Sequence, residues 1–368
     1  MKKGVRLSYS GANRYKTCPE KFYFAKRYKT KKINSAFFFG KAVEEGVTAL
    51  LMGSTVTEAK RIFEDNLTTE DYNKEFARII WDNPLVEFYA SDYDRRLLVN
   101  EDEKFNNYAK ELLGEKAKSW EEELEDVIER NKKKKRLKNG QQQFYNRVVW
   151  TCCLRRGNVM IESFEKDILP QIESVVKVKD QFLVQKEISL KNTEGDTVIG
   201  FIDYVLKLKN SSKPIIFDLK TSYARYDMHK LNSSEQLKTY VAGIGGAAGT
   251  SKAGYIVMVK KIKVNKSCDA CGAKREGLAK NCKKCGKGKY TKMDFECDIQ
   301  LVYKDFKEED VDEVLEDYSQ LAIAIKNNVT YKNAGNCNMF NRPCEFYEIC
   351  WGKKKPEDLD YLEEKEKK

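Results

Sequence analysis

Apolar residues recur with helical spacing through the first half of the chain. From Ser8 to Tyr28, aromatic residues recur among lysines as in one amphipathic helix that follows a capping Ser or Asn, with Cys18-Pro19 inside it. A second helix is predicted to begin near Phe38 and to run to Leu51, and residues 56–165 continue as a mostly helical, strongly charged region. The pattern therefore predicts a helical first half.

The pattern changes to β-rich runs after residue 180. Alternating and apolar stretches, separated by turns at Asn192 to Gly195 and Asn210 to Lys213, predict a small sheet built from hairpins. Its predicted strands are Gln181 to Leu190, Thr197 to Leu208 and Pro214 to Leu219.

Helices and strands alternate beyond this sheet. A helix from about Ser234 to Ala242, followed by a buried strand from Gly254 to Val259, places a helix against the sheet. A strand from Met293 to Tyr303 and a helix from Glu308 to Lys326 come next, and the Lys- and Glu-rich tail beyond Lys353 is predicted to be disordered. This order predicts an α/β fold with a mixed sheet core flanked by helices.

These patterns divide the chain into six predicted segments. They are amino-terminal helices (1–55), a helical insertion (56–175), a sheet-bearing core (176–264), a cysteine-rich insertion (265–290), the completion of the core with further cysteines (291–352) and a charged tail (353–368).

The composition narrows the class of partner. The 368 residues, 41% of them hydrophobic, suffice for a buried core, and the formal net charge is +11. A lysine-rich positive excess suits a polyanion, and nucleic acid is the first candidate. A surface of solvated lysines would explain the charge equally well.

The chain shows no sign of a membrane segment. No apolar run approaches the ~20 residues that span a bilayer, and the basic start from Met1 to Arg6 is not followed by the apolar stretch of a signal peptide. We therefore expect a cytoplasmic protein without a membrane partner. Eleven cysteines in a reducing compartment do not indicate disulfides, and their clustered spacing indicates metal.

Two acids interrupt apolar strands. Asp203 lies within Gly200 to Val205, while Asp218 and Lys220 are two residues apart in the next strand and so project from one face. If hairpin pairing brings the two carboxylates together, they repel unless a cation such as Mg²⁺ or Mn²⁺ lies between them. Such a metal can polarise a phosphate and acidify a water, and the lysine can stabilise developing charge. A surface salt bridge at the strand ends is the alternative reading.

These residues resemble the PD-(D/E)XK nucleases, particularly the RecB-like branch with the CRISPR-associated exonucleases and the AddB-type recombination nucleases. In Glu235 to Tyr240 the chain matches that branch's QxxxY motif, which places Gln236 and Tyr240 on one helical face beside the DxK strand. The resemblance implies a restriction-endonuclease-like core, with both residues orienting the DNA strand. Packing of a helix on the sheet would also explain Tyr240.

A third carboxylate follows from the same resemblance. The segment Phe39 to Glu45 is similar to the family's GxxxH helix, with Glu44 where the family usually carries a histidine ligand. The implied metal ligands are then Glu44, Asp203, Asp218 and the carbonyl of Leu219, and oxygen ligands of this kind suit Mg²⁺ or Mn²⁺. Glu45, or an ordinary helix surface, is the competing explanation.

The resemblance also implies a cluster of four cysteines. The family's iron-sulfur subgroup joins one cysteine near the amino terminus to three near the carboxyl terminus, as Cys18 precedes Cys337, Cys344 and Cys350 here. Four thiolates are the expected ligands of a [4Fe-4S] cluster, which would staple the two ends of the chain. The spacing between Cys337 and Cys344 is longer than in that subgroup, so zinc or free thiols stay open.

A second quartet has the spacing of a zinc ribbon. Cys268 and Cys271 form one CxxC pair, Cys282 and Cys285 form another, and each pair is followed by glycine, as in tight knuckles around tetrahedral Zn²⁺. The basic residues Lys274 and Arg275 make this insertion a candidate DNA contact. A metal-stapled hairpin without contact to substrate is the equal alternative.

The other reactive side chains receive structural assignments. The single histidine, His229, is predicted to lie in a loop and makes a histidine-based hydrolase improbable. Cys152, Cys153 and Cys297 are predicted to be buried thiols, and Glu187 to face solvent from its strand.

The resemblance implies a metal-dependent DNA exonuclease of recombination, repair or replication, with a helicase or recombination protein as a candidate partner. Phage-encoded relatives are compatible with a viral source and the host cytoplasm. A structure- or sequence-specific endonuclease is the alternative within enzymes. A catalytically inactive nucleic-acid-binding protein that uses its zinc ribbon is the alternative outside them.

Overall fold

A computed structural model describes residues 4–30, 35–67, 98, 101–133, 138–191, 195–275, 279–339, 342–359 and 362–365. Most of the predicted turn from Asn192 to Gly195 lies outside the described residues, as do the last three residues of the tail. The described residues form a mixed α/β fold in which helices flank a central mixed sheet, as the sequence pattern predicts.

The helices are α1 (Tyr9–Thr17), α2 (Pro19–Arg27), α3 (Ser35–Leu51), α4 (Val56–Leu67), α5 (Asp102–Leu113), α6 (Trp120–Lys132), α7 (Asn139–Asp167), α8 (Met228–Asn232), α9 (Glu235–Tyr240), α10 (Glu308–Lys326) and α11 (Tyr347–Cys350). The strands are β1 (Arg6–Ser8), β2 (Tyr28–Thr30), β3 (Ile172–Val175), β4 (Lys177–Val178), β5 (Gln181–Phe182), β6 (Val184–Lys191), β7 (Thr197–Leu208), β8 (Ile215–Ser222), β9 (Lys252–Val259), β10 (Lys263–Ser267), β11 (Lys292–Glu296), β12 (Ile299–Asp305), β13 (Asn338–Met339), β14 (Arg342–Pro343) and β15 (Leu362–Glu364). None of the described helices is both long enough and apolar enough to cross a membrane.

The central sheet has seven strands in the described part of the chain. Its order is β1-β7-β8-β9-β12, and β3 and β6 pair along β7 as well. The predicted hairpins β6–β7 and β7–β8 are antiparallel, whereas β1 with β7 and β8 with β9 are parallel. The sheet is therefore larger and more mixed than the small sheet of hairpins that the sequence predicts.

The long strand β7 is paired in two separate stretches along the edge that meets β1 and β8. Its pairing with β1 ends at Ile199, and its pairing with β8 begins only at Tyr204. The segment from Gly200 to Asp203 lies between these stretches, at a fork where β8 diverges from β7. This fork is where the two acids predicted from the sequence come together.

Apolar layers cover both faces of the sheet. On one face Tyr204, Phe217 and Leu219 join a core that also includes α3, α4 and the helices α5 to α7. The helices of the predicted insertion thus share a core with the sheet. Helix α7 passes close enough to α4 that a Cβ at Gly157 would lie 2.0 Å from the ring of Phe63. On the other face α9 packs through Leu237.

The single predicted helix from Ser8 to Tyr28 is wrong. The chain forms α1 and α2 with Cys18 extended between them, at φ −164° and ψ 111°. The cause is Pro19, because a residue before proline is pushed out of the helical region. The break turns Cys18 towards residues 331–350.

Two further predictions are corrected. The run from Met293 to Tyr303 is two strands in different sheets, since β11 pairs with β10 and β12 pairs with β9. The buried Cys297 forms the corner, where its N–H donates to Ser163 Oγ of α7 at 2.9 Å. The tail beyond Lys353 is not disordered throughout, because β15 pairs with β2 and Arg27 forms an ion pair with Glu364.

Candidate active site

The site forms where β7 and β8 separate. Asp203 follows Ile202 in β7, and its Oδ2 accepts a hydrogen bond from the backbone N–H of Leu219 at 2.7 Å. The pair next to it in the ladder is Tyr204 with Phe217, so the fork places Asp203 beside Asp218. The two predicted carboxylates therefore converge by strand pairing.

Asp218 is held by side chains from two elements. It is 1% exposed, its Oδ2 lies 2.5 Å from Lys220 Nζ, and its Oδ1 accepts a hydrogen bond from Gln236 Nε2 at 2.8 Å. Tyr240 Oη donates to the same Oδ1 at 3.3 Å, and Gln236 Nε2 lies 2.7 Å from Tyr240 Oη. The sequence analysis assigns Gln236 and Tyr240 to a DNA strand; in the structure both bind Asp218.

Helix α3 forms the facing wall. Glu44 and Glu45 line the same cleft as Asp203 and Asp218. The backbone carbonyl of Glu44 accepts a hydrogen bond from Tyr204 Oη at 3.1 Å, and that hydroxyl also meets Thr48 Oγ1 at 3.1 Å. Because Tyr204 is fully buried next to Asp203, it fixes the height of α3 over the sheet.

Gln185 is a residue of this cleft that the sequence analysis misses. Its Nε2 donates to Glu44 Oε1 at 3.2 Å and to Glu45 Oε1 at 3.4 Å. Its φ is +46°, a left-handed conformation that is uncommon for a residue other than glycine and that clusters at functional sites. The only sequence signal for Gln185 is the preceding pair of apolar residues, Leu183 and Val184, which interrupts the alternation of polar and apolar residues along the strand. Leu183 packs in the core that includes α9, and Val184 packs against the core that includes α3.

The surroundings of the site raise the pKa values of its carboxyl groups. Burial, and then the charge of Asp218, raise the pKa of Asp203 well above its usual range. Burial also raises the pKa of Asp218 and of Glu44. Burial alone would lower the pKa of Lys220, but the charge of Asp218 and the hydrogen bond to it raise that pKa, so this lysine stays protonated.

The donor set fits a hard divalent cation. Four carboxylates and two lysines line the cleft, so two negative charges remain to be neutralised when all are ionised. Among the described residues, only the ribbon cysteines bring three or more ligand atoms within 4.8 Å of one another. Mg²⁺ does not require such a close set, since this ion keeps several waters and takes one or two carboxylates directly.

The ribbon cysteines have the geometry of a tetrahedral metal site. Cys268 Sγ lies 3.7 Å from Cys285 Sγ, and Cys271 Sγ lies 3.6 Å from Cys282 Sγ. Four thiolates at the usual Zn–S distance are about 3.8 Å apart. Gly272 and Gly286 follow the pairs at φ +69° and +68°, and their N–H groups donate to the carbonyls of the first cysteine of each pair. The residues fit zinc.

The other four predicted cysteines also meet. Cys18, Cys337, Cys344 and Cys350 line one small cavity with Phe24 and Trp351. Among the described residues, no three of these sulfurs lie within 4.8 Å of one another. The break before Pro19 places Cys18 there, so the cavity joins the two ends of the described chain.

The remaining assignments lie outside the cleft. Lys274 is 3.8 Å from Glu296 in a groove between the ribbon and α7, and the backbone N–H of Arg275 donates to the carbonyl of Lys266. Their predicted contact with DNA stays a prediction. His229 is exposed on the short helix α8 and not in a loop.

The predicted structural residues lie where expected. Cys152, Cys153 and Cys297 are buried, as predicted. Glu187 faces solvent and pairs with Arg6 at 3.4 Å.

The family model described as the PD-(D/E)XK nuclease superfamily matches residues 6–351. Curated proteins gave no significant match.

Removing the charge of the half-buried Asp203 should stabilise the metal-free protein at neutral pH. Because the pKa of Asp203 is raised in the folded chain, its contribution to stability is full below its ordinary value of 3.8 and is lost as pH rises through the raised pKa. We expect Asp203→Asn, measured by chemical unfolding in a chelator, to raise the free energy of unfolding by about 1–2 kcal/mol at neutral pH and to change it little near pH 4.

The matched control for this experiment is Asp196→Asn. Asp196 is buried and pairs with Lys326 at 2.9 Å, so its neutralisation should destabilise the protein. An equal gain from Asp203→Asn at both pH values would show that packing, and not charge, causes the effect.

Replacing Gln185 with glycine should remove conformational strain from the backbone. Gln185→Gly removes a left-handed conformation that costs about 1 kcal/mol in an L-residue, which offsets the entropy that glycine adds to the unfolded chain. We expect an unchanged or higher free energy of unfolding, whereas Ser189→Gly, at an ordinary position of the same strand, should lower it by about 0.5–1 kcal/mol. Equal losses in both variants would contradict a strained Gln185.

Proposed function

This chain belongs to the PD-(D/E)XK nuclease superfamily, and we propose that it is a metal-dependent exonuclease that hydrolyses phosphodiester bonds from the ends of DNA. The observation that carries the proposal is the fork of β7 and β8, which gathers Asp203, Asp218 and Lys220 in one cleft of about 850 Å³. Buried carboxylates beside a lysine in a cleft are typical of a catalytic site.

Each residue of the cleft has a role in this proposal. Asp203, Asp218, Glu44 and the Leu219 carbonyl would hold Mg²⁺ or Mn²⁺, which when bound polarises the phosphate and acidifies the attacking water. Lys220 stays protonated and stabilises negative charge on the scissile phosphate.

Two groups hold these ligands in place. Gln236 and Tyr240 fix Asp218 through its Oδ1, and they line the cleft where a DNA strand would pass. Gln185 holds Glu44 towards Asp203.

The finer assignments rest on the resemblance to the RecB-like branch. It supports action on DNA ends in recombination, repair or replication, a helicase or recombination protein as partner, and a phage source with a place in the host cytoplasm. A structure- or sequence-specific endonuclease would differ in one outcome, because it would also cut covalently closed circular DNA. A purely DNA-binding protein would leave the buried carboxylates and Lys220 without a chemical role.

The two cysteine quartets receive different metals in this proposal. The ribbon quartet takes Zn²⁺, because its sulfur spacing matches a single tetrahedral ion. The Cys18 quartet takes a [4Fe-4S] cluster, which has a structural role. Neither quartet belongs to the hydrolytic cleft among the described residues.

Removal of Asp218 should abolish cleavage. With end-labelled linear DNA and Mg²⁺ or Mn²⁺, we expect the native chain to release nucleotides from the ends. Asp218→Ala should be slower by about a hundredfold or more, because a buried ligand and the partner of Lys220 are lost.

The control is Asp65→Ala, an exposed position on α4 whose ion pair with Arg61 spans 3.8 Å, and it should retain full activity. Binding of DNA without cleavage by the native chain, in both metals and on linear and circular DNA, would favour the DNA-binding alternative.

Each quartet serves as the control for the other in a metal analysis. In protein purified without oxygen, we expect about one zinc and about four iron atoms per chain. Cys271→Ser should lose the zinc and keep the iron, while Cys344→Ser should lose the iron and its visible absorbance and keep the zinc. Zinc in both quartets of the native protein would refute the iron-sulfur assignment.

A further inference from the structure

Two phenylalanine rings stand exposed in the catalytic cleft. Phe37 is 67% exposed and Phe201 is 56% exposed, and both line the cleft that contains the carboxylates. Single exposed apolar side chains are common on protein surfaces. Here two of them, one from a helix and one from a strand, face a cavity whose other walls carry charged residues.

The helical wall presents its aromatic ring in line with the catalytic groups. Phe37, Lys41 and Glu44 follow one another on α3 at spacings of four and three residues, so they share one face of the helix. All three line the cleft. A chain that runs along this wall would meet an aromatic ring, then a cation, then the proposed metal ligand.

The wall formed by β7 also places an aromatic ring ahead of a proposed metal ligand. Gly200 and Ile202 turn towards α9, since a Cβ at Gly200 would lie 3.3 Å from the Tyr240 ring and Ile202 packs in the same core as Tyr240. Phe201 therefore turns to the opposite face, where it meets the cleft two residues before Asp203. Its ring lies beyond the point where β1 stops covering β7.

Exposed aromatic faces are suited to unpaired bases. In a duplex the base faces are stacked on one another and only base edges are open in the grooves. A phenyl ring has no group that reads an edge, but it stacks on the face of any base that is free. Lys41, on the same helical face as Phe37, places a cation in the same cleft for contact with a phosphate.

We infer that Phe37 and Phe201 form a stacking site for unpaired bases next to the scissile phosphate, so that the substrate is single-stranded DNA or a single-stranded end. This inference rests on the proposed function for the position of the phosphate. The rings hold the strand by stacking on its bases, so binding does not depend on which bases are present.

The test compares binding and cleavage in the full-length protein. Binding of a fluorescent single-stranded oligonucleotide is measured by anisotropy in a chelator, where no cleavage takes place, against a blunt duplex of the same sequence and a single strand with abasic sugars. Phe37→Ala and Phe201→Ala should each weaken binding of the single strand by on the order of tenfold. Phe201→Trp should bind as the native chain does or more tightly.

Two controls separate stacking from damage to the fold. Phe182→Ala removes a ring that is 40% exposed on β5, outside the cleft, and should not change binding. On the abasic strand, Phe201→Ala should lose nothing relative to the native chain, because the partner of the ring is absent. A protein damaged by the substitution would bind both strands more weakly.

The outcomes distinguish this inference from the proposed function. Equal binding of single strand and duplex, or an equal effect of Phe201→Ala on normal and abasic strands, would overturn the stacking site even if the enzyme cleaves DNA. Base-dependent binding without cleavage in Mg²⁺ or Mn²⁺ would keep the stacking site and refute the nuclease. Cleavage of single strands with a Phe-dependent KM and an unchanged kcat would support both.

Discussion

The buried negative charge at the fork of β7 and β8 is the constraint on which the rest of the structure depends. Asp203 and Asp218 are neighbours because β7 and β8 pair at the adjacent residues, Tyr204 and Phe217. Glu44 adds a third carboxylate from α3. Glu45 is a fourth carboxylate of the cleft, and Lys41 and Lys220 leave two negative charges when all four acids are ionised. Protons or cations must offset these charges, and the raised pKa values of Asp203, Asp218 and Glu44 express this requirement.

The surrounding fold holds these charges at fixed positions. Tyr204 ties α3 to β7 through the carbonyl of Glu44, and Gln236 ties α9 to Asp218. The Tyr240 ring of α9 lies close to β7, since a Cβ at Gly200 would be 3.3 Å from it. Helices from both faces of the sheet thus meet at the position where β7 and β8 stop pairing. A shift of either helix would expose a carboxylate.

Much of this arrangement is readable from sequence because it is local. The bounds of β7 and α10 follow from turn residues and from the acidic start of the helix, and the acids inside apolar runs mark the site. The separation of β11 from β12 has no local signal, since it depends on Cys297 meeting Ser163 of a distant helix. The left-handed Gln185 and the pairing of β15 with β2 likewise depend on contacts between distant parts of the chain. The break at Pro19, in contrast, has a local signal in the proline itself.

Residues 15–30 find several of their partners among residues 308–365, whereas β1 pairs with β7. Tyr15 and Phe22 pack against Ile325 of α10, Phe24 stacks on Phe346, and β2 pairs with β15. A ribosome adds about 5–20 residues per second, so these contacts can form only after residues 308–365 have emerged. Tyr9 at the start of α1 lines the cleft, so the contacts that hold this wall of the cleft include ones to residues far along the chain. The wall that carries Tyr9 therefore has its full set of contacts only after residues 308–365 have been made.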